Sequence, residues 1–174
     1  MAEDRKWNLS LGFGSQSSAE LEYANGTSDT YGLGGFSLDA QLYFNKHLGV
    51  GIGFRTGGNK TTWLNGEEAV DVGLFSIKLL GKYEAATWLD FWGGIGFGLA
   101  TLSYEWSPNI GTGEKESKST IAPVIEIGAN VYWKNFMCGP FIQLAIIDFG
   151  NVDAAVADVS ATGAMLGFKL GAAF

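Results

Sequence analysis

Few residues of this chain have types and spacings suited to catalysis. His47 is the only histidine and Cys138 the only cysteine among 174 residues. A lone histidine in the short polar stretch Asn45-Lys46-His47 supplies neither a zinc ligand set nor half of a serine–histidine pair, and reads as a solvated turn residue. Cys138 falls on an apolar stripe with nothing nearby to activate a thiolate, and one cysteine excludes both a disulfide scaffold and a multi-cysteine metal centre. Gly49-x-Gly51-x-Gly53 and Gly94-x-Gly96-x-Gly98 have the spacing of phosphate loops. Each lies inside strict alternation with no strand-to-helix turn after it, so a nucleotide site is not expected. Asn25-Gly-Thr and Asn59-Lys-Thr match glycosylation sequons and mark surface loops. The expectation is a protein without enzymatic activity, metal or cofactor.

The remaining chemistry is ionic. Asp39, Lys78, Glu126 and Lys169 sit between apolar neighbours in mid-segment, and Arg55 and Lys82 lie nearer segment ends. Gln41, Asn130 and Gln143 share their face. Two carboxylates can neutralise some of four bases, and an unpaired buried charge would be costly. These residues form a candidate luminal network of Asp39, Arg55, Lys78, Lys82, Glu126, Gln143 and Lys169. The first reading is a structural plug, and the alternative is a narrow path for ions or small solutes.

The segments that position them alternate with period 2, and helical periodicity is almost absent. Trp7, Leu9, Leu11 and Phe13 share one face. Phe36, Leu38, Ala40, Leu42 and Phe44 share the next, with Gly34-Gly35 as a candidate bulge where Leu33 and Tyr31 fall out of phase. Leu48 to Phe54, Phe75 to Tyr83, Leu89 to Leu99, Ile121 to Trp133, Phe136 to Ile146 and Leu166 to Phe174 repeat the pattern. Eight strands result. Short turns at 45–47, 84–87 and 134–135 alternate with stretches read as long polar loops at Ser15–Thr30, Gly57–Ala69, Ser107–Thr120 and Gly150–Ala161. Within the last two, Glu114–Lys118 reads as a mixed-charge flexible tip and Ala154–Ala157 as an apolar patch suited to a partner. The expected fold is all-β: an eight-stranded antiparallel up-and-down barrel of one domain over 1–174, with 1–5 a flexible N-terminus.

Alternation alone leaves the apolar face inside, as in a soluble lipocalin-like ligand-binding barrel, or outside, in lipid. Composition favours lipid. Charged residues are only 17% against about 25% in ordinary soluble domains. Glycine is 26 of 174, and it stripes the polar face as the inside of a narrow barrel requires. Trp7, Phe44, Tyr83, Phe91, Trp133, Phe136 and Phe174 gather at the short-turn ends as a candidate aromatic girdle, with Tyr23, Tyr31, Trp63, Tyr104 and Trp106 as a candidate opposite one. No apolar run is long enough for a transmembrane helix, and Met1–Lys6 lacks the apolar core of a signal peptide, as a mature exported form would. The net charge of −7 argues against nucleic acid.

A terminal Phe174 preceded at every second position by Ala172, Leu170, Phe168 and Leu166 resembles the assembly signal of bacterial outer-membrane proteins. Residues 6–174 resemble small eight-stranded outer-membrane barrels of the OmpX, Ail and opacity-protein kind. The resemblance implies residence in a Gram-negative outer membrane, contact with lipid and lipopolysaccharide, and engagement of the insertion machinery through Phe174. It further implies loops that meet a host or envelope partner in adhesion or envelope integrity. A porin-like conduit for small or apolar solutes is the alternative function.

Overall fold

The computed structural model describes residues 6–23, 26–64, 66–109, 113–150, 156–161 and 163–174. The strands are β1 (Trp7–Tyr23), β2 (Ser28–Tyr43), β3 (Leu48–Trp63), β4 (Gly66–Ala86), β5 (Leu89–Pro108), β6 (Glu114–Trp133), β7 (Phe136–Ala145), β8 (Asp148–Gly150), β9 (Val156–Ser160) and β10 (Gly163–Ala173). Each of β1 to β6 pairs antiparallel with its successor, and β10 pairs with both β7 and β1. Eight staves therefore close on themselves. The closing seam is well made, with Asn8 opposite Ala173 and Gln16 opposite Met165. Short β8 and β9 continue the seventh and eighth staves upward, and β9 pairs with the top of β1.

Closure follows from the pattern. Successive side chains point to opposite faces, so each alternating segment yields one apolar and one polar wall. Bending the polar wall inward requires side chains small enough to fit a narrow interior. At Gly53 an added Cβ would stand 2.7 Å from Asp39 Oδ1 and 3.1 Å from Lys78 Nζ, so glycine there leaves room for the charges. The turns at 44–47, 87–88 and 134–135 are tight. Lys134 takes a φ of 55° to complete the two-residue β6–β7 connection.

The apolar face is the outer one. Leu9, Leu11, Phe13, Ile52, Ile77, Leu79, Ile95, Phe97, Ile125, Ile127, Leu166 and Phe168 all point away from the interior and are exposed. This removes the soluble lipocalin-like alternative, since water would meet a continuous hydrocarbon belt. The belt spans Phe75 to Tyr83 on β4 and Ile121 to Trp133 on β6. At about 3.3 Å per residue and a tilt of about 40° these runs cover roughly 20 and 30 Å of height, bracketing the ~25 Å band of outer-membrane barrels. The chain is a transmembrane barrel.

Three expectations need correction. First, the stretches read as long loops are mostly strand: β1 runs to Tyr23, β3 to Trp63, β5 to Pro108, and β6 begins at Glu114. The mixed-charge tip Glu114–Lys118 is therefore part of β6, paired with β5. Outward residues there turn polar because the sheet has left the bilayer, as at Lys115, Ser117 and Ser119, and polarity alone resembled a loop. Second, register is continuous through Gly34-Gly35, and Leu33 points inward. The irregularity lies on β1 between Gln16 and Ala19. Third, Tyr104 is 7% exposed inside the barrel and Trp106 packs on the interior cluster, so neither forms an outer girdle. The side chains of Tyr23, Tyr31 and Trp63 lie outside the described residues, as do residues 1–5, Asn25 and Ala154-Ala155.

Leu79→Arg and Ile127→Arg place a guanidinium at the middle of the outward belt, where it costs about 2–4 kcal/mol in barrels of this kind. Both variants are expected to fold poorly into lipid vesicles, read by heat-modifiable gel mobility. Ser76, inward and buried, carries no such lipid penalty. Wild-type folding of both arginine variants would reverse the assignment of faces.

Candidate functional site

Four staves deliver the innermost charges to one level of the barrel. β2 carries Asp39, β4 Lys78, β6 Glu126 and β10 Lys169, each at an inward position of its alternation and each at most 4% exposed. Lys78 Nζ contacts Asp39 Oδ1 at 3.0 Å and the Glu126 carboxylate. Lys169 Nζ contacts Asp39 Oδ2 at 3.0 Å and the other Glu126 oxygen. Cations and anions thus alternate around a closed four-membered ring, each ammonium bridging both carboxylates. The formal charges cancel. Lys169 Nζ also lies over the rings of Trp92 and Phe141, 4.6 Å from each centroid, so two aromatic faces add to its contacts with the acids.

The other network residues are not part of this ring. Arg55, one layer toward the long-loop rim, donates from Nη1 to Gln143 Oε1 at 2.7 Å and from Nη2 to Gln16 Oε1. Gln16 Nε2 in turn donates to the Ala161 carbonyl at 2.7 Å. Lys82, near the short-turn rim, pairs with Glu84 at 3.1 Å and sits 4.5 Å from the Tyr43 ring centroid. At the level of Lys82 and below it toward the short turns, a hydrogen-bonded layer joins Gln41 and Asn130 to Asn8, Tyr43, Asp90 and Tyr132, of which Asp90 and Tyr132 escaped the sequence reading. Asn8 Nδ2 donates to Gln41 Oε1 at 3.1 Å, and the Tyr43 hydroxyl donates to the same oxygen at 3.2 Å. The Tyr132 hydroxyl donates to Asp90 Oδ2 at 2.5 Å and accepts from Asn130 Nδ2 at 3.3 Å. Asp90 and Tyr132 alternate with Leu89, Phe91, Val131 and Trp133, and that period was the available signal. Among the described residues, Asp90 has no lysine or arginine nitrogen at ion-pair distance.

Above Arg55 the interior changes character. Leu33, Val70, Val72, Leu74, Leu102, Tyr104, Val124, Ile147, Phe149 and Val159 form one buried cluster. From the short-turn rim upward, the barrel holds a hydrogen-bonded floor, an ionic ring, an arginine layer and an apolar cap.

Outside, the candidate girdle residues Trp7, Phe44, Tyr83, Phe91, Trp133, Phe136 and Phe174 are each 46–76% exposed. Trp7 and Phe174 are joined by backbone bonds of 3.0 and 2.8 Å. His47 lies at this rim, its backbone N–H bonded to Asn45 Oδ1 and its Nδ1 3.2 Å from the Lys82 carbonyl. Cys138 is partly covered on the outer face.

Glu126→Ala leaves two buried ammonium groups sharing Asp39, a change expected to cost about 3–5 kcal/mol in a dry interior and less where water enters. Asp90→Asn removes a carboxylate that is not in an ion pair and should cost markedly less. Urea midpoints of the two variants in detergent check the order; a larger loss at Asp90 would contradict the ring's importance.

No protein-family model matches this chain, and no curated protein sequence is similar to it at a significant level. Solved structures are similar in shape. Ail, the attachment invasion locus protein of Yersinia pestis, in a complex with the heparin analogue sucrose octasulfate, matches with TM-score 0.59 and 19% identity over 99% of this chain and 100% of that one. OprG from Pseudomonas aeruginosa, an outer membrane protein, matches with TM-score 0.73 and 11% identity over 98% and 96%. Neisserial surface protein A matches with TM-score 0.66 and 11% identity over 95% and 97%. Identities this low show the fold: a closed eight-stranded barrel of the kind found among bacterial outer-membrane proteins.

Proposed function

We propose that this chain is an integral barrel of a Gram-negative outer membrane that works without enzymatic chemistry, through what its long-loop rim binds. The ring of buried, mutually paired charges across the lumen is the observation that carries the reading. Charges paired in this way under an apolar cap support a plug over an open path, and a plugged lumen leaves specificity to the surface above the bilayer. In this orientation the short turns face the periplasm. Phe174 and the outward residues before it are the part that the insertion machinery would engage.

The chemistry of the exposed surface supports one kind of partner over another. On the extension, Lys60 is taken by Glu67 at 2.6 Å and Lys115 by Glu105 at 3.6 Å. Glu20, Glu22, Asp71 and Glu116 are exposed there as well. The remaining sign is negative. A sulfated polyanion of the type present with Ail would be repelled, and a basic host or envelope surface would be attracted.

A conduit is the second reading, favoured by the apolar cap, which suits an apolar solute better than an ion. Recordings in planar bilayers separate the two. The plug predicts no unitary currents from the folded protein, with Glu126→Gln affecting stability before conductance. Steady currents whose selectivity changes in Glu126→Gln, at unchanged stability, would overturn the plug in favour of a path.

A further inference from the structure

The short-turn rim carries the opposite charge to the extension. Lys6, Lys46 and Lys134 are exposed there, each within two residues of an outward aromatic: Trp7, Phe44 and Trp133. The backbone brings them to one side. Tyr43 N donates to the Lys6 carbonyl at 2.8 Å, Lys6 N to the Phe174 carbonyl at 2.7 Å, and Ala173 N to the Asn135 carbonyl at 2.8 Å. The basic arc therefore runs from the β2–β3 turn, across the ends of β1 and β10, to the β6–β7 turn. Glu84 belongs to the other side of the rim, beside the β4–β5 turn, where Lys82 engages it.

Aromatic side chains at a membrane interface settle at the headgroup level. A lysine one or two residues away can lay its methylenes along that surface and hold its ammonium at the phosphate plane. We propose that this arc is a docking surface for anionic phospholipid headgroups, and that it determines which lipids border that side of the barrel. The proposal rests on the membrane reading above. Charge complementarity selects the occupant: among the described residues of the arc, three ammonium groups outnumber the one Phe174 carboxylate, which favours a lipid of net negative charge over a zwitterionic one, although both carry phosphate.

Tryptophan quenching by brominated lipids tests this, because Trp7 and Trp133 lie within the arc. The full chain is folded into phosphatidylcholine vesicles containing either brominated phosphatidylglycerol or brominated phosphatidylcholine at equal fraction. Brominated phosphatidylglycerol is expected to quench more strongly, with a relative affinity of roughly threefold at low salt. That preference should fall to one in 0.5 M sodium chloride (about a 4 Å screening length) and in the Lys6→Gln/Lys46→Gln/Lys134→Gln variant, whose folding is checked by gel mobility. Should the triple variant fail to fold, the salt series on the wild-type chain still decides. Equal quenching by both lipids, or a preference insensitive to salt and to the lysines, would overturn the proposal while leaving the membrane reading intact. Absence of quenching by either lipid would overturn the membrane reading itself.

Discussion

Hydrocarbon offers no hydrogen bonds, so every backbone N–H and C=O in the belt must find its partner within the sheet. The pairing of β1 with β10 meets that requirement by removing both edges at once. Everything else in the molecule follows from having closed the ring. The wall facing lipid must be apolar through its whole height, and the polar wall has nowhere to go but inward. An eight-stranded interior is just wide enough to be filled by its own side chains, so inward charges meet one another instead of bulk water.

The ring formed by Asp39, Lys78, Glu126 and Lys169 is the consequence. With two cations and two anions at one level, each ion has two opposite neighbours, and the cost of taking it out of water is offset twice. Four staves that are distant in sequence are tied across the lumen, which opposes flattening or shear of the barrel. Most buried polar residues lie in the half toward the short turns, and the largest apolar cluster lies in the half toward the extension. That division lets the sheet continue beyond the bilayer with a core of its own, so the exposed rim stands on a packed support.

Period-2 alternation made the fold and its two faces legible before any coordinates. Inward positions for Asp39, Lys78, Glu126 and Lys169 could be read from their apolar neighbours alone. Their mutual pairing could not: Lys78 and Glu126 are 48 residues apart, and Lys169 and Glu126 are 43. Only strand register and tilt bring such positions level. Strand length was misread for a physical reason. A β-strand outside the membrane has a polar outer face, so Lys115-x-Ser117-x-Ser119 resembles loop composition although it pairs along β5, where Leu102 and Tyr104 still alternate inward. The same omission placed Tyr104 on an outer girdle when its phase with Leu102 puts it inside. Asp90 and Tyr132 were passed over because they border the turns, where polar residues attract no notice.

The mutual dependence of the buried luminal charges is tested most directly by a double-mutant cycle on Lys78 and Glu126. Stability is measured by urea unfolding in detergent for Lys78→Met, Glu126→Gln and the combination. Coupling through the ring predicts that the double variant is more stable than the sum of the single losses allows, by about 0.5–3 kcal/mol, because neither change then leaves a buried ion unmatched. Strictly additive losses would show that the two side chains do not depend on each other, and would contradict the account.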